Sequence, residues 1–393
     1  MNRMFSSTGA RRVAALVSAA ATLAGAGYAL GAPTVALAAP ASIFVYNGNS
    51  STDEGYTKFG TAAGRPVSSS ATLPADLSPY ACVVLPVNAA AFSAGQITTF
   101  STYVNGGGTL IALGENAGFA AANTNLTAVS TGLGAGMTVV GDTLSGPTTN
   151  IVASPLTAGM TSFGYTAAGH VTISAPGQPL IYNLGAGTQP AIVGTAVLGA
   201  GLFVLSGDSN AFSDNDIGSY TLNSNPILVA NLCAPRSTQT TVTCPNPTVG
   251  QATTCTATVT DSDAAGHKTA PSGTETFSTS GQGTFGSGGT CTLAATSTPG
   301  QSSCSVPFTP TAAGTQNVSA AFAGDVRHTS SNGQVAAAVV AVVPNLPKAG
   351  APTAGSVRAD RAAELAIALL VGVALATGGA FWAVGRLRRR SAA

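Results

Sequence analysis

The sequence predicts an α/β domain with a parallel sheet, then an all-β sandwich, and finally a single C-terminal transmembrane helix. Residues 42–233 contain near-continuous apolar runs and a strongly marked helix, whereas residues 238–343 contain short Thr/Val alternations. The C-terminus carries an uncharged apolar stretch followed by arginines. Strands covered on both faces are apolar throughout, while sandwich strands alternate between core and solvent, so the first two regions are expected to differ in fold class.

Composition excludes one class of partner. Only 7% of the 393 residues are charged, the net charge is +1, and the lysines are Lys58, Lys268 and Lys348 alone. Such a chain has no basic surface for a phosphate backbone, which argues against nucleic acid as a partner. The abundance of Gly, Ala, Ser and Thr is more typical of an exterior β-rich protein than of a charged cytosolic enzyme.

The N-terminus predicts a secretory signal peptide over residues 1–38. Arg11 and Arg12 precede a weakly apolar, alanine-rich stretch, and Ala36-Leu37-Ala38 fits the small-x-small cleavage rule. A retained N-terminal anchor is the alternative interpretation. Cleavage would start the mature chain near Ala39.

The C-terminus predicts a linker over residues 344–364, a transmembrane helix over 365–385 and a cytoplasmic basic tail over 386–393. Twenty uncharged residues span roughly 30 Å as a helix, which is one bilayer core. The arginines that follow satisfy the positive-inside rule. The expected location is therefore the cell membrane, crossed once, with the N-terminal domains outside the cell and the membrane itself as a partner.

The linker contains Leu346-Pro347-Lys348-Ala349-Gly350. This phrase, the apolar helix and the arginines together resemble the sorting signal of bacterial surface proteins that a sortase joins to the cell wall. The resemblance implies cleavage between Ala349 and Gly350 and the cell wall as a partner. The family usually has threonine at the fourth position, and a plain single-span anchor is the alternative.

In the first domain, "SIFVYNGN", "YACVVLPVN", "TLIALGEN" and "GLFVLSGDSN" have the pattern of buried strands. Ser93 and Gln96 form a predicted capping box for a helix whose apolar face includes Ile97, Phe100 and Val104. Glycines 106–108 end this helix, and a last helix is expected to begin at Pro226.

The stretches "YACVVLP", "STYVNGGGTLIALGEN" and "GLFVLSGDSNAFSD" resemble class I glutamine-amidotransferase-like domains, which have a flavodoxin-like parallel sheet. An active member of that family needs a cysteine nucleophile after the strand ending near Leu113 and a histidine base. Here the turn is Gly114-Glu115-Asn116, and His170 is the domain's only histidine. The resemblance therefore implies a non-catalytic relative, and no cofactor or metal site is expected.

Polar residues follow the predicted strands, at the edge where parallel sheets bind ligands. The sequence predicts a shallow site for a polar ligand there, formed by Asn47, Asn88, Glu115, Asn116, Asp208 and Ser209. The alternative is that these loops are polar because they meet water. Asp208, Asp214 and Asp216 also lie close in sequence, but their spacing does not match a calcium loop, and capping or turn roles are the favoured interpretation.

The second domain has period-two runs separated by Pro, Gly and Asn, which predicts an antiparallel sandwich. Its phrases "PSGTETF", "PTAAGT" and "AGDVRH" resemble a bacterial immunoglobulin-like repeat of surface proteins. That resemblance implies an immunoglobulin-like sandwich acting as a spacer or adhesive module. His328 belongs to the repeat pattern and is interpreted as structural.

Six cysteines in an exported chain predict disulfides. Cys244 with Cys255, and Cys291 with Cys304, each bracket a turn and are the favoured pairs. Cys82 is expected to start a strand and Cys233 to end the last helix, which places both at one sheet edge. We expect either a third disulfide between these two residues or, as the alternative, two buried free thiols.

Together these features predict a surface-anchored structural or adhesive protein, not an enzyme, that displays the amidotransferase-like domain on an immunoglobulin-like stalk toward an unknown surface ligand. The alternative is a carbohydrate- or small-ligand-binding surface protein that uses the strand ends of the α/β domain. A surface hydrolase is disfavoured, because the nucleophile and base are missing.

Overall fold

The computed structural model describes residues 41–48, 54–185, 187–215 and 223–342. The predicted signal peptide, the whole linker over 344–364 with its Ala349-Gly350 bond, the helix over 365–385 and the basic tail lie outside the described residues.

The first region, up to Cys233, contains a nine-stranded sheet in the described residues, with strand order β2-β1-β3-β4-β9-β8-β6-β5 and β7 beside β8. Its strands are β1 Ile43–Tyr46, β2 Val67–Ser70, β3 Cys82–Leu85, β4 Thr109–Leu113, β5 Met137–Leu144, β6 Ala168–Ile173, β7 Gln178–Tyr182, β8 Ala191–Leu198 and β9 Gly201–Ser206. Its α-helices are α1 Thr57–Ala63, α2 Ala94–Asn105, α3 Ala120–Leu133 and α4 Asn225–Cys233.

The prediction of a flavodoxin-like parallel sheet is wrong, because the sheet is mixed. Strands β2, β1, β3, β4 and β9 pair in parallel, but β8 pairs antiparallel with β9, β6 and β7, and β6 pairs antiparallel with β5. The cause lies between β8 and β9, where only Gly199 and Ala200 connect the strands and Gly199 has a φ of 59°. A two-residue turn can join only antiparallel neighbours, whereas a parallel pair needs a long crossover.

Helices cover both faces of this sheet. Side chains of α1 and α4 pack on one face around Phe59, Phe212 and Leu228, while α2 and α3 pack on the other face around Phe100 and Leu126. Strands β3 and β4 lie in the middle and are buried at every position, which explains their continuous apolar sequence. The predicted capping box of α2 is confirmed: Ser93 N donates to Gln96 Oε1 at 2.8 Å, and Gln96 N donates to Ser93 Oγ at 3.3 Å.

The second region forms two antiparallel sheets, ordered β10-β11-β16-β13 and β14-β12-β17-β18, with β15 beside β16. Its strands are β10 Thr238–Thr243, β11 Thr253–Asp261, β12 Thr274–Thr279, β13 Gly283–Phe285, β14 Thr290–Thr292, β15 Ala294–Ala295, β16 Gln301–Pro310, β17 Gly314–Phe322 and β18 Ser331–Val339. Val242, Phe277 and Phe308 come from opposite sheets and share one core, because alternate residues of each strand face inward. The resemblance to an immunoglobulin-like repeat stays a prediction.

The predicted disulfide bonds are present: Cys82–Cys233, Cys244–Cys255 and Cys291–Cys304 are paired. The first joins the start of β3 to the end of α4, with the two Cα atoms 5.8 Å apart. The third differs from the hairpin bridge that its turn signal indicated, since Cys291 lies in β14 and Cys304 in β16, which belong to different sheets. It therefore ties the two layers of the sandwich together.

The predictions of a C-terminal transmembrane helix and of a single-pass cell-membrane location are corrected by one finding. Within the described ranges, no helix is both long and apolar enough to cross a membrane. The longest α-helix among them, α3, has 14 residues and so spans about 21 Å, against the roughly 30 Å of a bilayer core.

Candidate functional site

The ends of two neighbouring parallel strands bring part of the predicted site together. Glu115 and Asn116 follow β4, and Asp208 and Ser209 follow β9, which pairs directly with β4. Ser209 Oγ lies 2.9 Å from Glu115 Oε1, so residues 94 positions apart in sequence meet at this edge. The strand-end argument found this contact because parallel strands end at the same side of a sheet.

Glu115 is buried and its polar atoms are occupied from within the fold. Its Oε2 accepts hydrogen bonds from the backbone N of Asn116 at 3.0 Å and from Asn116 Nδ2 at 2.9 Å. The side-chain amide of Asn123 in α3 forms two hydrogen bonds with the backbone of Glu115. Its Oδ1 accepts from Glu115 N at 2.9 Å, and its Nδ2 donates to Glu115 O at 2.7 Å. These bonds hold the carboxylate in one orientation over the end of the sheet.

Ser209 lies between two carboxylates. Its Oγ is 2.9 Å from Glu115 Oε1 and 3.0 Å from Glu54 Oε1. Tyr56 donates from its hydroxyl to Glu54 Oε2 at 3.4 Å, and burial followed by the charge of Glu54 raises the pKa of Tyr56 well above its ordinary value. Since a serine hydroxyl has one proton, Ser209 donates to one of the two glutamates at a time.

Asp208 is fully buried, and its carboxylate accepts hydrogen bonds from the backbone of the loop that follows β9 and from Thr166. Its Oδ2 accepts from Thr166 N at 2.7 Å, and its Oδ1 accepts from Asn210 N at 2.8 Å. Burial raises the pKa of Asp208 to about 7, with the charge of Glu115 adding to the rise and the backbone donors opposing it. The carboxylate thus fastens the stretch at Thr166 to the end of β9.

The other two predicted residues lie apart from this network. Asn47 is exposed, and its backbone N donates to Ser70 O at 3.1 Å. Asn88 is fully buried, and its backbone O accepts from Asn125 Nδ2 at 3.0 Å. Both polar side-chain atoms of Asn88 lack a hydrogen-bond partner among the described residues. Within the part of the chain that the structure describes, neither Asn47 nor Asn88 forms a hydrogen bond with Glu54, Ser209 or Glu115.

Asp214 has the capping role that was favoured over calcium binding, while Asp216 lies outside the described residues. Asp214 Oδ2 accepts from Thr57 N at 3.0 Å and Oδ1 accepts from Lys58 N at 2.6 Å, both in the first turn of α1. The residue at the N-cap position itself, Tyr56, supplies no side-chain cap. A carboxylate from a distant loop thus satisfies two of the free amides of this helix.

We expect Asp214→Ala to lower the free energy of unfolding by about 1 kcal/mol, because it removes this cap. Chemical denaturation followed by circular dichroism measures the change. Gln251→Ala, at an exposed polar residue outside α1, is the control and is expected to be nearly neutral. Equal stability of Asp214→Ala and the unaltered protein would contradict the assignment.

A second polar cluster lies in the sandwich region, where it was not predicted. His328 Nδ1 is 2.8 Å from Asp325 Oδ1, its Nε2 is 3.0 Å from Thr269 O, and Arg236 pairs with Asp261. Burial alone would lower the pKa of His328, but Asp261 and Asp325 outweigh it and raise that pKa. Both ring nitrogens face acceptors, so the imidazolium form fits this position. The three-residue spacing of Asp325 and His328 in "AGDVRH" is a sequence signal for this pair. No sequence signal points to Thr269 and Asp261 as further partners of His328.

The three comparisons with known proteins find structural neighbours only. No protein-family model matches the chain, and no curated protein matches it. Among solved structures, it is similar to the mmIFT52 N-terminal domain at 14% identity, covering 48% of this chain and 93% of that one, with a TM-score of 0.39. It is also similar to a β-galactosidase from Bacillus circulans sp. alkalophilus at 15% identity, covering 69% of this chain and 41% of that one, with a TM-score of 0.34.

A β-galactosidase from Rahnella sp. R3 has 14% identity and a TM-score of 0.31, with 63% of this chain and 35% of that one covered. The chain thus spans about a third to two fifths of the length of these two galactosidases. At such TM-scores the likenesses carry no argument about fold or activity. The chemistry of the protein has to be inferred from its own residues.

Proposed function

We propose that this protein is a non-catalytic structural or adhesive protein in which the β sandwich serves as a stalk that holds the α/β region in a defined orientation. The observation that carries the proposal is the buried Arg65, whose guanidinium joins the two regions. A display protein needs such a joint, because the orientation of the displayed region must survive a pull on the stalk.

Arg65 donates to backbone carbonyls on both sides of the joint. Its Nε donates to Cys233 O at 2.6 Å, and its Nη1 donates to Ala41 O and to Val326 O at 3.0 Å each. Burial, and then the charge of Arg327, lowers the pKa of Arg65 to about 10, which still leaves it cationic near neutral pH. A buried guanidinium with several fixed acceptors is costly to detach, because its charge would be left unsatisfied.

Further contacts reinforce the joint. Gly266 N donates to Pro155 O at 2.8 Å, and Arg236 N donates to Arg327 O at 2.8 Å. Arg236 lies three residues after the end of α4 and pairs with Asp261 at the end of β11, so an ion pair holds the connection between the regions. These bonds support a stiff stalk rather than two regions joined by a flexible linker.

The cysteines support a working environment that is oxidising. All six cysteines of the sequence lie in the described residues and are paired. Disulfides of this density persist outside reducing compartments. The alternative of ligand binding at the strand ends has less support, since Asp208 and Ser209 are fully buried and Glu115 is bonded internally.

The test is attachment under flow. Beads carrying the purified full chain are passed over arrays of polysaccharides and extracellular proteins, and attachment is measured at rest and under shear. We expect Arg65→Met to reduce attachment under shear by several-fold while static binding changes little, because each region stays folded but their orientation loosens.

Lys58→Met is the matched control, because Lys58 Nζ donates to Asp214 O, away from the joint. Circular dichroism with the disulfides intact verifies folding of both variants. Equal shear resistance of Arg65→Met and the unaltered chain would contradict the proposal. So would turnover of any glycoside or amide substrate by the unaltered chain.

A further inference from the structure

A cavity of about 330 Å³ lies between α2, the loop that joins β2 to β3, and the sandwich loop that carries Arg327. Its lining includes Asp76, Leu77, Ser78, Thr102, Tyr103 and Arg327. The volume suits a small molecule, and the lining combines apolar surface with a few polar groups, as ligand pockets commonly do. None of these residues belongs to the Glu54–Ser209–Glu115 cluster.

One side of the cavity carries an uncompensated cation. The Arg327 guanidinium carbon lies 5.8 Å from the centroid of the Tyr103 ring, and its Nε is buried without a hydrogen-bond partner among the described residues. No carboxylate in the described part of the chain forms an ion pair with this side chain, and the nearby Asp325 is already bonded to His328 and Ser272. A buried guanidinium donor without an acceptor is costly, and an anionic ligand would supply one.

The same cavity carries an exposed carboxylate. Asp76 Oδ1 accepts from Ser78 N at 2.8 Å and Oδ2 accepts from Ser78 Oγ at 2.9 Å, and these two bonds lower the pKa of Asp76. Asp76 and Arg327 form no ion pair with each other among the described residues. A simple anion would be attracted by Arg327 but repelled by Asp76, so the pair favours a ligand that carries both charges.

We propose that this cavity binds a small zwitterion of the free α-amino acid class, with its carboxylate on Arg327 and its ammonium group on Asp76. Ala75 and the Tyr103 ring line the same cavity and would lie against the ligand's side chain. Hydroxyl groups of Ser78 and Thr102 line the same space. This binding activity goes beyond the display role, because it uses the guanidinium of Arg327, whereas the joint uses the backbone carbonyl of that residue.

The test compares three probes on the full chain by NMR titration. L-Leucine carries both charges, N-acetyl-L-leucine carries only the carboxylate and L-leucinamide only the ammonium group. We expect L-leucine to bind about tenfold more tightly than either single-charge probe. Equal affinities of L-leucine and one single-charge probe, or binding of none of them, would overturn the proposal.

Two variants test which charge binds which group of the ligand, and Asp142→Asn, at an acid of β5 that does not line the cavity, is the matched control. Arg327→Gln should abolish binding of L-leucine and of N-acetyl-L-leucine. Asp76→Asn should weaken L-leucine about tenfold but strengthen N-acetyl-L-leucine, because the repulsion of its carboxylate is removed. Since Asp76 is exposed, its variant folds even where Arg327→Gln does not. A loss of affinity for both ligands in Asp76→Asn would refute the assignment.

Discussion

Replacing Cys82 and Cys233 together by alanine is expected to lower the free energy of unfolding by about 4–5 kcal/mol. The disulfide joins positions 151 residues apart, and closing so long a loop removes much of the conformational entropy of the unfolded chain. It also fastens the first residue of β3 in the middle of the sheet to the last residue of α4. Urea denaturation of the double variant and the unaltered protein, both without reductant, measures the loss.

The double variant of Cys244 and Cys255 is the matched control. These residues are only 11 positions apart, so the same entropy argument predicts a smaller loss of about 3 kcal/mol. Each double variant also removes two sulfurs of the same kind, which keeps the packing change comparable. Equal losses in the two variants would show that loop length does not govern the stabilisation here.

Glu275→Met is expected to raise the free energy of unfolding by about 3 kcal/mol at pH 8. Glu275 is fully buried on the inward face of β12, opposite Cys291 and Phe322 on the flanking strands. Neither carboxyl oxygen has a hydrogen-bond partner among the described residues. Burial raises the pKa of Glu275 from 4.5 to about 7, and each unit of that rise corresponds to about 1.4 kcal/mol. Methionine has a similar volume and no charge to bury.

The direction of the pKa shift determines how the stabilisation by Glu275→Met depends on pH. Because the folded-state pKa of Glu275 is above the unfolded value, the associated stability is present below pH 4.5 and is lost as the pH rises through about 7. The two proteins should therefore differ little at pH 4.5 and most at pH 8. Groups such as His328 titrate in both proteins, so the difference between them isolates Glu275.

Denaturant titrations at pH 4.5, 6 and 8 provide the measurement. Glu275→Gln is the companion variant: it removes the charge but keeps polar atoms in the core, so it should flatten the pH profile with a smaller gain. Asp76→Asn, at an exposed acid whose lowered pKa lies below this pH range, should leave the profile unchanged. A Glu275→Met protein that is less stable than the unaltered one at pH 8 would contradict the argument.

The α/β region shows where sequence reasoning succeeds and where it fails. The helix start at Ser93 follows from residues three positions apart, and the burial of β3 and β4 follows from their continuous apolar letters. Strands β5 to β8 were not predicted, and their antiparallel pairing made the expected parallel sheet wrong. Strand direction depends on how the chain connects neighbours, and for β8 and β9 the two connecting residues, Gly199 and Ala200, decide it.

The candidate sites divide in the same way. The meeting of Glu115 and Ser209 could be expected from strand ends, but Glu54 as the second carboxylate on Ser209 could not. The joint at Arg65 had no sequence signal, since its acceptors are backbone carbonyls that any residue type could provide. The cavity with Asp76 and Arg327 joins residues about 250 positions apart. Arg327 stands in the phrase "AGDVRH", but nothing in the sequence pointed to Asp76 as its neighbour.

The sequence by itself determined the features that depend on neighbours along the chain: capping, strand periodicity, the polar strand ends and the bracketing of turns by cysteines. Only the tertiary structure decided which strands run antiparallel, that Cys291–Cys304 joins two sheets, and that Asp208 and Ser209 are buried rather than open to a ligand. The physical reason is the distance along the chain over which each feature is set. Local patterns report backbone hydrogen bonding within a few residues, whereas burial and charge pairing depend on groups that the fold brings together from distant parts of the chain.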